Sequence, residues 1–166
     1  MPTLIVILAL VGTITLAVLL YSLLKRWRQY ARYVNEVRQE SGRLAFLINR
    51  DFEVKATNYF DLNRRMKDDQ PHILGNVLHC KTGCDSGLCG TGKACNNCPV
   101  RIVIKNAMTM RRHFSQVEAT MTLYDEHHEE QETDVVADGR YVEVGKKPYI
   151  IVTLNKHIIN PKKERS

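Results

Sequence analysis

The chain has 166 residues and a formal net charge of +6, an excess that by itself suits a nucleic-acid partner. The charge is not spread evenly. Residues 25–43 carry a net +4 and the tail 161–166 a net +2, which leaves 44–161 neutral; no basic stripe crosses the globular part, so nucleic-acid binding is discounted.

Leu4 to Leu24 reads LIVILALVGTITLAVLLYSLL, without a charged residue. At about 1.5 Å per residue such a helix matches the roughly 30 Å hydrocarbon core of a bilayer. Gly12, Thr13 and Thr15 are tolerable breaks in a span, since Thr can bond its own helix backbone. A cleaved signal peptide is disfavoured on three counts: no Lys or Arg precedes the run, the run is too long, and no small-residue cleavage site follows. Lys25, Arg26, Trp27 and Arg28 form the membrane flank. Positive residues stay inside, so the expected topology is single-pass in the cytoplasmic (inner) membrane, N-terminus outside, the remainder in the cytoplasm. The basic cluster then faces anionic lipid of the bilayer.

Residues 25–43 read as a helix continuing out of the membrane. A heptad passes through Trp27, Tyr30, Val34 and Val37. Such a seam suits a parallel homodimer, or the packing of this helix on the protein's own domain.

About 120 residues remain, enough for one domain with one core; it is placed at 44–160, with 161–166 as a basic tail. Leu44–Asn58 reads as two short strands joined at Asn49-Arg50-Asp51. A polar stretch including Arg64–Pro71 is expected as short helices and loop. Pro99 opens a clear helix with an apolar face of Val100, Val103, Ile104, Ala107 and Met108, and Arg111 and Arg112 are expected in its last turn. Phe114–Tyr124 alternates, with Val117, Ala119, Met121 and Leu123 on one face. The acidic run Asp125–Glu132 reads as a loop. Val135–Val144 is one strand, or two if Asp138-Gly139 turns the chain. Gly145-Lys146-Lys147-Pro148 turns into the strand Tyr149–Leu154. Two strands, short helices, one longer helix and about three more strands make an α+β domain with its helices on one side of the sheet.

Five cysteines, Cys80, Cys84, Cys89, Cys95 and Cys98, are spaced C-x3-C-x4-C-x5-C-x2-C. A cytoplasmic location argues against stable disulfides and for metal or redox chemistry. Cys95 and Cys98 precede the helix at Pro99, where unpaired amides favour a thiolate. Gly83, Gly87, Gly90 and Gly92 allow tight turns that bring sulfurs together. Four thiolates can hold zinc or an iron–sulfur cluster; the first set is Cys84, Cys89, Cys95 and Cys98, with Cys80 as alternate. A metal-free thiol switch and small buried residues are the other readings. Covalent haem is rejected because Pro99 stands where Cys-x-x-Cys-His needs histidine.

His79 and His113 are weaker ligand candidates, and His127-His128 reads as solvated loop. Asp61, Asp68 and Asp69 form no recognisable carboxylate pair. There is no Ser–His–Asp, phosphate-loop or dinucleotide motif, so no enzyme activity is indicated.

The opening Leu47–Asn58 resembles the first strand pair of a PAS domain, and Gly145–Leu154 resembles its closing hairpin. Between them Leu74-Gly75-x-x-Leu78-x-Cys80 and Gly87-x-Cys89-Gly90-Thr91-x-x-x-Cys95-x-x-Cys98 resemble a cysteine-bearing subgroup of bacterial PAS proteins. The resemblance implies a PAS-like antiparallel sheet of about five strands after one transmembrane helix, and a role in sensing or signal relay. PAS domains often end in Asp-Ile-Thr before an output domain; the matching place here reads Lys156-His157-Ile158. Output is therefore expected through a separate partner, such as a histidine kinase or another signalling protein. A membrane-anchored electron-transfer component and a docking module with a zinc staple are the alternatives.

Overall fold

A computed structural model describes residues 2–59, 72–125 and 127–155. The expected short helices around Arg64–Pro71, the carboxylates Asp61, Asp68 and Asp69, Lys156-His157-Ile158 and the basic tail lie outside the described residues.

Helix α1 runs unbroken from Pro2 to Gln39. It is long and apolar enough to cross a membrane, and none of its most apolar stretch is buried against the protein. The hydroxyls of Thr13, Thr15 and Ser22 donate to carbonyls three residues back, at 2.8, 2.9 and 2.8 Å, so these polar side chains cost the helix no unsatisfied group. Beyond Gln39 the chain turns under the control of Asn58. Its amide donates to the carbonyls of Glu40 and Arg43, and its side-chain oxygen accepts from the Ala45 amide.

Five strands follow: β1 Leu44–Asn49, β2 Val54–Thr57, β3 Phe114–Tyr124, β4 Glu130–Val144 and β5 Lys147–Leu154. All pair antiparallel in the order β2-β1-β5-β4-β3. Asn49 closes the first hairpin, its side-chain oxygen accepting from the amides of Asp51 and Glu53. The β4–β5 hairpin needs only two residues, because Gly145 at its first position takes φ +64°.

Between β2 and β3 lie α2 (Leu74–Val77), α3 (Lys81–Asp85), a 3-10 turn (Lys93–Asn97) and α4 (Pro99–Met110). The apolar face expected for α4 is real: Val100, Ile104, Ala107 and Met108 are buried and Val103 partly so. They meet alternate residues of the sheet, among them Phe46, Ile48, Val135, Ile150 and Val152. Burying each large aliphatic side chain contributes about 1.5–3 kcal/mol.

Four sequence expectations change. Helices lie on both faces of the sheet, since the second half of α1 covers the face away from α4. Tyr30, Tyr33, Val34 and Val37 pack there on Ala45, Leu47, Ala56, Val142 and Ile151, and Val37 is 1% exposed. Thus Tyr30, Val34 and Val37 of the heptad face the protein's own sheet, while Trp27 stays 68% exposed. Second, Glu130, Gln131 and Glu132 belong to β4, paired with Tyr124, Leu123 and Thr122, although their composition reads as loop. Third, Asp138-Gly139 is neither turn nor bulge. The irregularity sits opposite, in β3 between Phe114 and Val117, where Gln116 takes φ +52° and its amide donates to Asp138. Gly139 makes room for the Phe114 ring, which lies across it; a Cβ there would come within 2.7 Å of Phe114 Cδ1 and nearer still to the ring's far edge, so the ring would have to shift. Fourth, α4 ends at Met110, so Arg111 is its left-handed cap (φ +53°) and pairs with Glu143 at 3.5 Å.

Candidate functional site

The cysteine segment is fastened at both ends. Cys80 bridges to Leu123 at the end of β3, and the neighbouring Tyr124 amide donates to the His79 carbonyl at 2.8 Å. At the other end Cys98 is the N-cap residue of α4, its carbonyl accepting from Ile102 at 2.9 Å. The segment therefore joins the end of the sheet to the start of α4.

Cys89 is the wedge. It lies so close to Gly75 and Gly83 that a Cβ on Gly75 would stand 2.8 Å from its own Cβ, and closer to its sulfur; on Gly83 the distance would be 3.2 Å. Asn76 holds it in place by accepting from the Cys89 amide at 2.7 Å. Cys95 is buried, and its sulfur accepts from the Gly90 amide at 3.3 Å. Cys80, Cys89 and Cys98 pack half-buried against the main core. All five thiols are unbridged.

Burial pushes the Cys80, Cys84 and Cys89 thiols above their usual range. The next influence on Cys80 is opposite: the Gly83 and Thr82 amides favour its thiolate, before Cys98 and Cys95 raise it again. Cys89 is raised further by Cys95, then by Cys80, with the Gly75 amide and Arg101 pulling down. Cys84 feels Cys80 and Asp85. Cys80, the alternate of the sequence expectation, packs on the main core with Cys89 and Cys98, and Cys84 follows it within α3. Among the described residues no three His, Cys, Asp or Glu side chains are yet placed to hold one metal ion. Of the histidines, His113 Nδ1 accepts from the Tyr141 amide at 3.1 Å, and His128 stacks on Tyr124 with ring centroids 6.0 Å apart.

Two residues at the site escaped the sequence reading. Arg101 lies 4.1 Å over the Phe52 ring, with its guanidinium against Gly90. A signal was present: a cation in the first turn of a helix opposes the dipole and calls for a compensating partner. Phe52 gave none, because its left-handed φ of +64° belongs to the hairpin turn.

Fold and site together define an α+β domain with a five-stranded antiparallel sheet, a cysteine-rich segment and an N-terminal helix long enough to cross a membrane. No protein-family model and no curated protein matches the sequence. Among solved structures, the chain is similar to one in the crystal structure of the E. coli DhaR(N)–DhaL complex, at 16% identity and a TM-score of 0.45. The match covers 89% of this chain and 43% of that one, so this chain spans less than half of its length.

Proposed function

We propose that this chain is a membrane-anchored, PAS-like sensor or adaptor whose cysteine segment is the input and whose sheet relays to the membrane helix and a separate signalling protein. The observation that carries this reading is the double fastening of the segment, to β3 at Cys80 and to α4 at Cys98. The opposite face of the same sheet holds α1. The resemblance to PAS gains support from the strand pair and closing hairpin it named, which meet where β1 pairs with β5. The positive flank supports a cytoplasmic side for the domain.

Two chemistries suit the thiols. A two-electron oxidant such as hydrogen peroxide takes two electrons and two protons from a pair of thiols, leaving a disulfide. A soft metal instead would displace the thiol protons, and Cys80, Cys89, Cys95 and Cys98 would hold it if the glycine-rich turns brought their sulfurs together. A homodimer through α1 would use the face bearing Trp27, Ala31 and Asn35, since Tyr30, Val34 and Val37 are covered.

The test is an anaerobic preparation of the full chain, read by visible absorption, by metal and sulfide analysis, and by thiol count before and after peroxide. A reversible loss of thiols in pairs, or a stoichiometric metal, supports the input role. Five thiols unchanged by peroxide with no metal bound sinks it. Iron and sulfide with a reversible redox transition would favour the electron-transfer reading.

A further inference from the structure

The molecule is charged unequally along its length, and the sheet register converts that inequality into a direction. We propose that the end of the sheet carrying the β4–β5 hairpin is a second membrane contact, seated on anionic lipid headgroups so that the domain stands end-on to the bilayer. This rests on α1 being a span.

The level of the hairpin follows from the helix. Arg26 is two residues beyond the apolar run, about 3 Å along the axis. Its side chain lies against Gly145, where a Cβ would stand 3.0 Å from Nε. The Gln29 amide donates to the Glu143 carbonyl at 2.6 Å. Further from the membrane, Glu36 pairs with Arg140. From Arg26 to Glu36 the helix rises about 15 Å, and from Gly145 to Arg140 the strand covers about 16 Å. Equal advance along both means that β4 runs back along the helix axis, so one end of the sheet sits at headgroup level and the other points away.

The membrane end is basic. Asn49 pairs with Tyr149, which brings the β1–β2 turn and its Arg50 to the same end as the hairpin. Arg111, at the end of α4, is held there by Glu143. Together with Lys25, Arg26, Lys146 and Lys147 these are exposed cations. Lys146 and Lys147 form no ion pair among the described residues. Of the acidic residues at this end, Asp51 is exposed beside Arg50, Glu53 is paired with Lys55 and Glu143 with Arg111, so the cations stay in excess.

The far end is acidic. Asp125, Glu129, Glu132 and Glu130, the last paired with Lys81, lie where β3 passes into β4, a strand length of about 45 Å from the hairpin. That is several Debye lengths of about 8 Å, so the acidic end lies outside the surface field that attracts the basic end. The charge order excludes the reverse seat.

The test uses the full chain in nanodiscs of phosphatidylcholine alone or with about one third phosphatidylglycerol. An amine-acetylating reagent is applied and each lysine's rate is read by mass spectrometry, with exposed Lys93 in the cysteine segment as the internal reference. Lys146 and Lys147 are expected to react about fivefold more slowly on the anionic discs, Lys93 equally on both, and about 1 M salt should abolish the difference. Equal Lys146 and Lys147 rates on both discs, in a chain that resists alkaline carbonate extraction, overturn the seat and leave the span standing. Extraction by carbonate overturns both.

Discussion

Gly75→Ala tests the wedge on which the site is built. The added methyl would lie 2.8 Å from Cys89 Cβ and closer to its sulfur, shorter than carbon atoms tolerate, so Cys89 or α2 must move. Overpacking of this kind costs about 1–3 kcal/mol, against a helix-propensity gain for alanine of at most about 1 kcal/mol. The net expectation is a loss of about 1–2 kcal/mol, a fall of several degrees in Tm for a domain of this size. Cys89→Gly removes both close contacts, and in that background Gly75→Ala should be neutral or stabilising. The coupling between the two substitutions should therefore be about 1–3 kcal/mol and favourable. Thermal melts of the four proteins in one detergent supply the cycle, and the alkylation rate of Cys89 supplies an independent reading, expected to rise in Gly75→Ala. Additive effects with an unchanged alkylation rate would refute the wedge.

The other predictions concern the frame around the site. Val37→Ala removes two buried methyl groups from the α1–sheet contact, so a loss of about 1–2 kcal/mol and faster proteolysis of the link at 40–43 are expected; unchanged cleavage would deny that α1 is docked. Gly139→Ala should destabilise by about 1–3 kcal/mol, and Phe114→Ala in that background should recover the clash part, as read by denaturant unfolding. The Asp138 carboxyl is held below its usual 3.8, first by the Gln116 amide and then by Arg43. Its contribution is therefore full above the ordinary carboxylate range and is lost as pH falls through the lowered value. Wild type should be more stable than Asp138→Asn at neutral pH, with the gap closing in acid; a pH-independent gap would contradict the assignment.

Elements set by their own periodicity were legible in the sequence. α4 begins at Pro99 and buries the face its spacing gives, and β3 spans Phe114–Tyr124 with Met121 and Leu123 inward. Features set by a distant partner were not. The heptad through Tyr30, Val34 and Val37 is the same pattern whether a second helix or the protein's own sheet covers it. The bulge at Gln116 depends on Asp138 across the ladder, and Glu130–Glu132 become strand because Thr122, Leu123 and Tyr124 lie opposite. At the site, the cysteines were visible as a cluster, whereas the bridge that ties Cys80 to Leu123 was not. For Cys80 and Cys89, burial outweighs the neighbouring amides, a balance that only the tertiary packing reveals.

In the proposed relay, chemistry at the cysteines reaches α1 through the sheet. Amide hydrogen exchange on the full chain in nanodiscs, reduced against peroxide-treated, reads this directly. The account predicts altered protection both in α4 and in residues 26–39 of α1, and no change in either for a variant with all five cysteines replaced by serine. Altered exchange confined to residues 80–98, with 26–39 unmoved, would contradict it.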